Sequence, residues 1–101
     1  MMKLFIRKSA QEDLLAAAEF YDEQELGLGD EVILFLEQQI FSLPDLAGIH
    51  PSVQGFHRAV VQGRFPYYAI YYTLEPDGLH VRAVLDQRRS PKTLRLRLRQ
   101  V

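Results

Sequence analysis

The chain has 101 residues, no cysteine and a formal net charge of −1. That length supports one domain that buries roughly two-thirds of the surface its unfolded form exposes, so a single core needs no staple. Without cysteine there are no disulfides and no thiolate metal sites, and no apolar run approaches the ~20 residues of a membrane helix. Leu4-Phe5-Ile6 is too short for a secretory core and is followed by Arg7-Lys8. The expectation is one soluble, cytoplasmic domain spanning 1–101, with residues 92–101 as a basic tail.

Lys3 to Arg7 reads as a short first strand. Ser9-Ala10-Gln11-Glu12 has the spacing of a capping box, with Ser9 as the N-cap and Glu12 reaching back. Leu14, Leu15, Ala18 and Tyr21 follow at helical spacing, with Glu12, Asp13, Glu19, Asp22 and Glu23 mostly on the other side. Gly27-Leu28-Gly29 is too permissive for a helix interior and reads as the turn of a helical hairpin. The second helix runs from about Asp30 to Leu43 on a stripe of Val32, Phe35, Leu36, Ile40 and Leu43, and Pro44 stops it.

After a loop from Leu46 to Pro51, three strands are predicted: Gln54 to Val61, Pro66 to Leu74 and Leu79 to Leu85. Gln62-Gly63 and Pro76-Asp77-Gly78 supply the turns. Alternation in the last strand sends Leu79, Val81, Ala83 and Leu85 one way and His80, Arg82 and Asp86 the other. Tyr67, Tyr68, Tyr71 and Tyr72 alternate likewise, so about half belong under the helices. The fold class is therefore α+β, in the order β-α-α-β-β-β. A helical hairpin packs on one face of an antiparallel sheet, and the other face is left for function.

Charge divides the chain. Residues 1–50 carry three basic against ten acidic side chains, and residues 51–101 carry nine basic against three acidic ones. A nearly neutral protein split in this way focuses a positive field on one side, which suits an anionic partner. Arginine favours phosphate or carboxylate through paired hydrogen bonds. The tail adds Leu94-Arg95-Leu96-Arg97-Leu98-Arg99, whose period of two suits a strand, while Ser90-Pro91 suits a helix start. His50, His57 and His80 share no ligand spacing, so neither a metal nor another cofactor is expected.

Several features together resemble the RelE/ParE superfamily of toxins from bacterial type II toxin–antitoxin pairs. They are Asp13-Leu14, Tyr21, Gly27-Leu28-Gly29, Arg58, Phe65-Pro66-Tyr67, Tyr71 and Arg88-Arg89-Ser90-Pro91, in that order over nearly the whole chain to Pro91. The resemblance implies the same β-α-α-β-β-β fold, a cognate antitoxin protein forming a hetero-oligomer with this chain, and one of two targets. RelE-like toxins cleave messenger RNA on the ribosome, whereas ParE-like toxins poison DNA gyrase.

Cleavage through the 2′-hydroxyl needs a general acid, a general base and cations around the phosphate. A nuclease would draw on Arg58, Arg64, His80, Arg82 and Arg88. Yet nothing after Pro91 exchanges a proton near neutral pH, and the slot before the paired arginines that often holds a histidine in such toxins is Asp86, a partner for Arg88 or Arg82. A gyrase poison asks only for a binding surface, here Arg64, Arg82, Arg88, Arg89, Lys92 and Arg95. The expected function is that of a ParE-like gyrase inhibitor. The alternatives are a ribosome-dependent endoribonuclease and a non-toxic binding module that keeps the fold.

Overall fold

A computed structural model describes residues 2–101. Strand β1 is Leu4–Ile6, followed by helices α1 (Lys8–Gln24) and α2 (Leu28–Phe41). A single 3-10 turn, Leu43–Leu46, leads to β2 (Ser52–Val53), β3 (Phe56–Val60), β4 (Tyr68–Glu75) and β5 (Gly78–Asp86), and the chain closes with α3 (Pro91–Arg99). The sheet order is β1-β5-β4-β3-β2. The α+β class and the order of elements agree with the sequence, with β2 and α3 as additions. The sheet is mixed rather than antiparallel, because β1 runs parallel to β5 with Leu4 beside Leu79 and Ile6 beside Val81.

The hairpin turn depends on its glycines. Gly27 adopts a φ of 94°, where a side chain is strained, and the Asp22 carboxylate accepts the N–H groups of Gly27 (3.1 Å) and Gly29 (2.8 Å). A Cβ on Gly29 would lie 2.5 Å from the Ala18 carbonyl oxygen, so the two helices meet closely only with glycine there. Helix α2 buries Val32, Leu36 and Ile40 and ends at Phe41, ahead of Pro44.

Helix α1 differs from its expected stripe. It buries Ala10, Asp13, Leu14 and Ala17, while Leu15 is exposed. Ser9 forms no capping box, because the N-cap lies two residues earlier at Arg7 and the Ser9 hydroxyl instead donates to the Arg82 carbonyl at 2.6 Å.

One extra residue reorganises β5. Tyr72 pairs with Val81 and Tyr71 with Ala83, so Arg82 is a bulge in the ladder. The alternation slips there. Leu79, Val81 and Val84 pack under the helical hairpin with Tyr68, Ile70 and Tyr72, whereas Ala83 and Leu85 face the opposite side with Ala69 and Tyr71. Strict period two would instead keep Ala83 and Leu85 on the side of Leu79.

That opposite face is not left open. The Ser90 hydroxyl accepts the Thr93 N–H at 3.1 Å and caps α3, with Pro91 in its first turn. Leu94, Leu98 and Val101 then cover Ala69, Tyr71, Ala83 and Leu85. The tail is a helix because its i, i+4 leucine pair finds an apolar face to cover, which the leucine–arginine alternation conceals.

Asp13 ties these layers together. Beyond the end of β1, the outer edge of β5 would present unpaired main-chain groups. Ser9 and Asp13 of α1 satisfy it, Asp13 by accepting the Val84 N–H at 2.9 Å, while its other carboxylate oxygen accepts from the Arg97 guanidinium of α3. Burial pushes the Asp13 carboxyl above its ordinary value, and the Val84 and Arg97 hydrogen bonds pull it down without cancelling that effect. Replacing Asp13 with Ala orphans the Val84 N–H and removes the counter-ion of Arg97, and is expected to cost about 1–3 kcal/mol of stability, read from urea unfolding midpoints. A variant as stable as the parent would remove Asp13 from this role.

Candidate functional site

Arg88 and Arg89 leave the sheet at the C-terminal end of β5. Asp86 shapes that exit, its carboxylate accepting the Arg88 main-chain N–H at 2.8 Å, Nε at 3.0 Å and a terminal guanidinium nitrogen at 2.7 Å. The guanidinium also lies 4.0 Å above the ring of Tyr67. Burial works against the Asp86 carboxylate, but the side-chain and main-chain hydrogen bonds from Arg88 together outweigh it and hold its pKa below the aspartate range. Arg88 is correspondingly held above the ordinary arginine range. Arg88 is therefore a fixed cation with one planar face on tyrosine and one edge on carboxylate.

Arg89 is different. Among the described residues its side chain makes no ion pair. It borders a cavity of about 160 Å³ between α1 and β5, with Asp13, Ala17, Phe20, Tyr68 and Asp86 on the walls. Burial pushes the Tyr68 hydroxyl up to about 12, so it stays neutral there. Lys92 and Arg95 follow on the exposed side of α3. Arg88, Arg89, Lys92 and Arg95 thus form one basic run from the end of β5 along α3.

The other expected cations lie elsewhere. Arg64, between β3 and β4, is bound to Glu31 of α2 at 2.5 Å and sits 5.3 Å from the Phe65 ring centre. Arg82 points toward the β4–β5 turn, where it bonds Thr73 at 3.2 Å and pairs with Glu75. Asp86 lies four positions further along the strand, about 13 Å at ordinary strand rise. Arg58 stands in mid-sheet beside Tyr71. The six residues expected to bind a target therefore do not converge, and four of them form the basic run.

His80 shares the strand face of Arg82, but its ring is buried and both nitrogens are engaged. Arg7 only donates, so Nδ1 accepts from it at 3.2 Å and the Nε2–H donates to Asp77 at 2.7 Å. Phe5 stacks on the ring at 4.7 Å. Glu75, Asp77 and His80 lie close together, yet the histidine turns a proton rather than a lone pair toward the carboxylates. The trio is an ion-pair cluster in which hydrogen bonds from Thr73 and His80 lower the pKa of Glu75 and Asp77 respectively.

Two groups carry structure that the sequence signals weakly. An acid inside an apolar helical stripe, Asp13 between Ala10 and Ala17, is the available sign of a buried clamp. The second group joins His50, His57 and Tyr72. The Tyr72 hydroxyl accepts the Gly48 N–H at 3.1 Å and donates to His50 Nδ1 at 2.6 Å, while His57 Nδ1 donates to the His50 carbonyl at 3.0 Å. No local spacing links these residues, because the loop before β2 and two strands assemble them.

No family model and no curated protein matches the chain. Chemically, the basic run offers several charge-assisted donors to an anionic surface and no group that exchanges protons near neutrality.

Burial, with a smaller contribution from His57, lowers the His50 pKa from its ordinary 6.5. The folded state therefore binds the His50 proton less readily than the unfolded chain. The stability this group confers is present above pH 6.5 and declines as pH falls through 6.5 toward the lowered value. A His50→Asn variant is expected to flatten that part of the pH profile of unfolding midpoints. An unchanged profile would assign the acid sensitivity to other groups.

Proposed function

We propose that this chain is a ParE-like toxin of the RelE/ParE superfamily, the protein arm of a type II toxin–antitoxin module. It acts by binding DNA gyrase through the basic run from Arg88 to Arg95, and a cognate antitoxin neutralises it. The observation that carries the reading is the basic run itself. It combines an oriented Arg88, an unpaired Arg89 and a basic helix face, with no proton-transfer residue among them. The order of helices and strands is also the one that the resemblance implies.

The ribonuclease alternative is less well supported. It would draw its acid or base from His80, whose two nitrogens are bonded and whose ring is buried. Three of its cations, Arg64, Arg82 and Arg88, are paired to carboxylates.

Expression of the chain alone should arrest growth, and co-expression of its antitoxin should restore it. Purified protein should inhibit supercoiling by gyrase and leave ribosome-bound message intact. Message cleavage with normal supercoiling would move the assignment to the nuclease class, and normal growth at full soluble expression would leave a non-toxic module.

The double replacement Arg88→Ala with Arg89→Ala should reduce gyrase inhibition by well over tenfold. Hydrogen bonds to charged groups each contribute roughly 1.5–3 kcal/mol at an interface. Circular dichroism should stay unchanged. A folded double variant of full potency would exclude the pair from target binding.

A further inference from the structure

Where α1 passes over β5 the helix presents Ala16 and Ala17, side chains too short to fill the space above the strand. The slip at Arg82 turns Val84, and two residues on Asp86, toward the helical hairpin, and Tyr68 stands opposite Asp86 in the ladder. Phe20 forms a further wall. The space left between these groups is the cavity of about 160 Å³ that Arg89 borders. An apolar cavity of about this size accommodates one benzene-sized molecule.

Two donors at the cavity are unused. On β4 the Tyr71 hydroxyl donates to Gln87 at 3.2 Å and the Tyr72 hydroxyl to His50 at 2.6 Å. The Tyr68 side chain is only 5% exposed, yet its hydroxyl has no hydrogen-bond partner among the described residues. Its oxygen is not sealed off like the unpaired Nε atoms of Arg58 and Arg97, so it opens on the cavity that its ring borders. A largely buried O–H without a partner is costly, and a bound acceptor would satisfy it. Arg89 is the second donor. Its N–H closes a turn on the Asp86 carbonyl at 3.2 Å, which holds the residue at the cavity wall, and its guanidinium makes no ion pair with a described residue.

The acids of the wall are already balanced. Asp13 accepts from the Val84 N–H and from Arg97, and Asp86 accepts from Arg88. Three guanidiniums, of Arg88, Arg89 and Arg97, therefore stand against two carboxylates, and Arg89 carries the excess charge.

We propose that this cavity binds a small carboxylate with a benzene-sized apolar body. The carboxylate accepts from the Arg89 guanidinium and the Tyr68 hydroxyl, and the apolar part lies among Ala16, Ala17, Phe20 and Val84. This assignment stands independently of the gyrase reading, although an occupied site would commit Arg89.

Benzoate is the probe, titrated into the isotope-labelled full chain and followed by amide chemical shifts. Saturable shifts are expected at Ala17, Phe20, Val84 and Arg89, with neutral benzamide weaker by about tenfold and benzylammonium silent. Tyr68→Phe deletes one oxygen and keeps the ring beside Tyr21, and Arg89→Gln removes the charge. Each should weaken benzoate by about tenfold. Ala16→Leu, at an exposed helical position, fills the cavity mouth and should abolish the shifts with circular dichroism unchanged. That variant decides the matter should the tyrosine variant fail to fold. No saturable shift at millimolar benzoate, or equal affinity in all three variants, would overturn the proposal. So would binding of benzylammonium in place of benzoate. Shifts confined to Lys92 and Arg95 would show general attraction of anions to the basic run and would overturn it as well.

Discussion

The fold depends on how one buried carboxylate distributes its two oxygens. Asp13 gives one to the main chain of β5 and the other to α3, so a single side chain of α1 fixes the sheet edge below it and the helix across the sheet. An isolated carboxylate in such a place would be strongly disfavoured, and each contact lowers that cost by a different route. The main-chain hydrogen bond closes an edge that β1 is too short to cover. The guanidinium balances the charge and draws α3 over Tyr71 and Leu85. The two apolar layers on either side of the sheet are thereby held to the same strand.

The arginines divide by what lies beside them. Arg97 is recruited by Asp13, Arg64 by Glu31 and Arg82 by Glu75, so three of the nine basic side chains in the second half hold the protein together. Arg88 occupies an intermediate position. Its pairing with Asp86 consumes one edge of the guanidinium while stacking on Tyr67 fixes the plane. A cation oriented in this way loses little freedom on meeting an anion, which favours recognition more than folding. Arg89, Lys92 and Arg95 make no ion pair among the described residues.

Features set by local periodicity are legible in the sequence. The helical hairpin, its glycine turn, the β4 and β5 strands and the Ser90-Pro91 helix start follow from residue types a few positions apart. Those that depend on distant partners are not legible. Nothing near Arg82 announces a bulge, because the slip exists only relative to the register of β4. Ser9 has a sound capping pattern, but the Arg82 carbonyl competes for its hydroxyl and wins once β5 is in place. Parallel pairing of β1 with β5 is equally invisible, since three residues carry no directional preference. The arginines can be counted in the sequence, but their grouping cannot be read there. Whether two cations share a surface depends on which carboxylates fold beside them, as Glu31 and Glu75 show.

The parallel pairing of β1 with β5 has a temporal side. Arg7 and His80 meet across 73 positions of chain, and Asp13 and Arg97 across 84. Bringing such distant segments together costs loop-closure entropy before any contact repays it. During synthesis the first strand therefore emerges long before its neighbour exists, and the hairpin of helices waits with one flank uncovered. The basic run is the last part of the sheet's periphery to be made, and α3 docks only after β5 is in register. A chain truncated before residue 91 lacks both the helix and the Arg97 counter-charge that Asp13 requires. Incomplete products would thus lose Lys92 and Arg95 from the basic run and fold poorly at the same time, a built-in proofreading of length by the order of assembly.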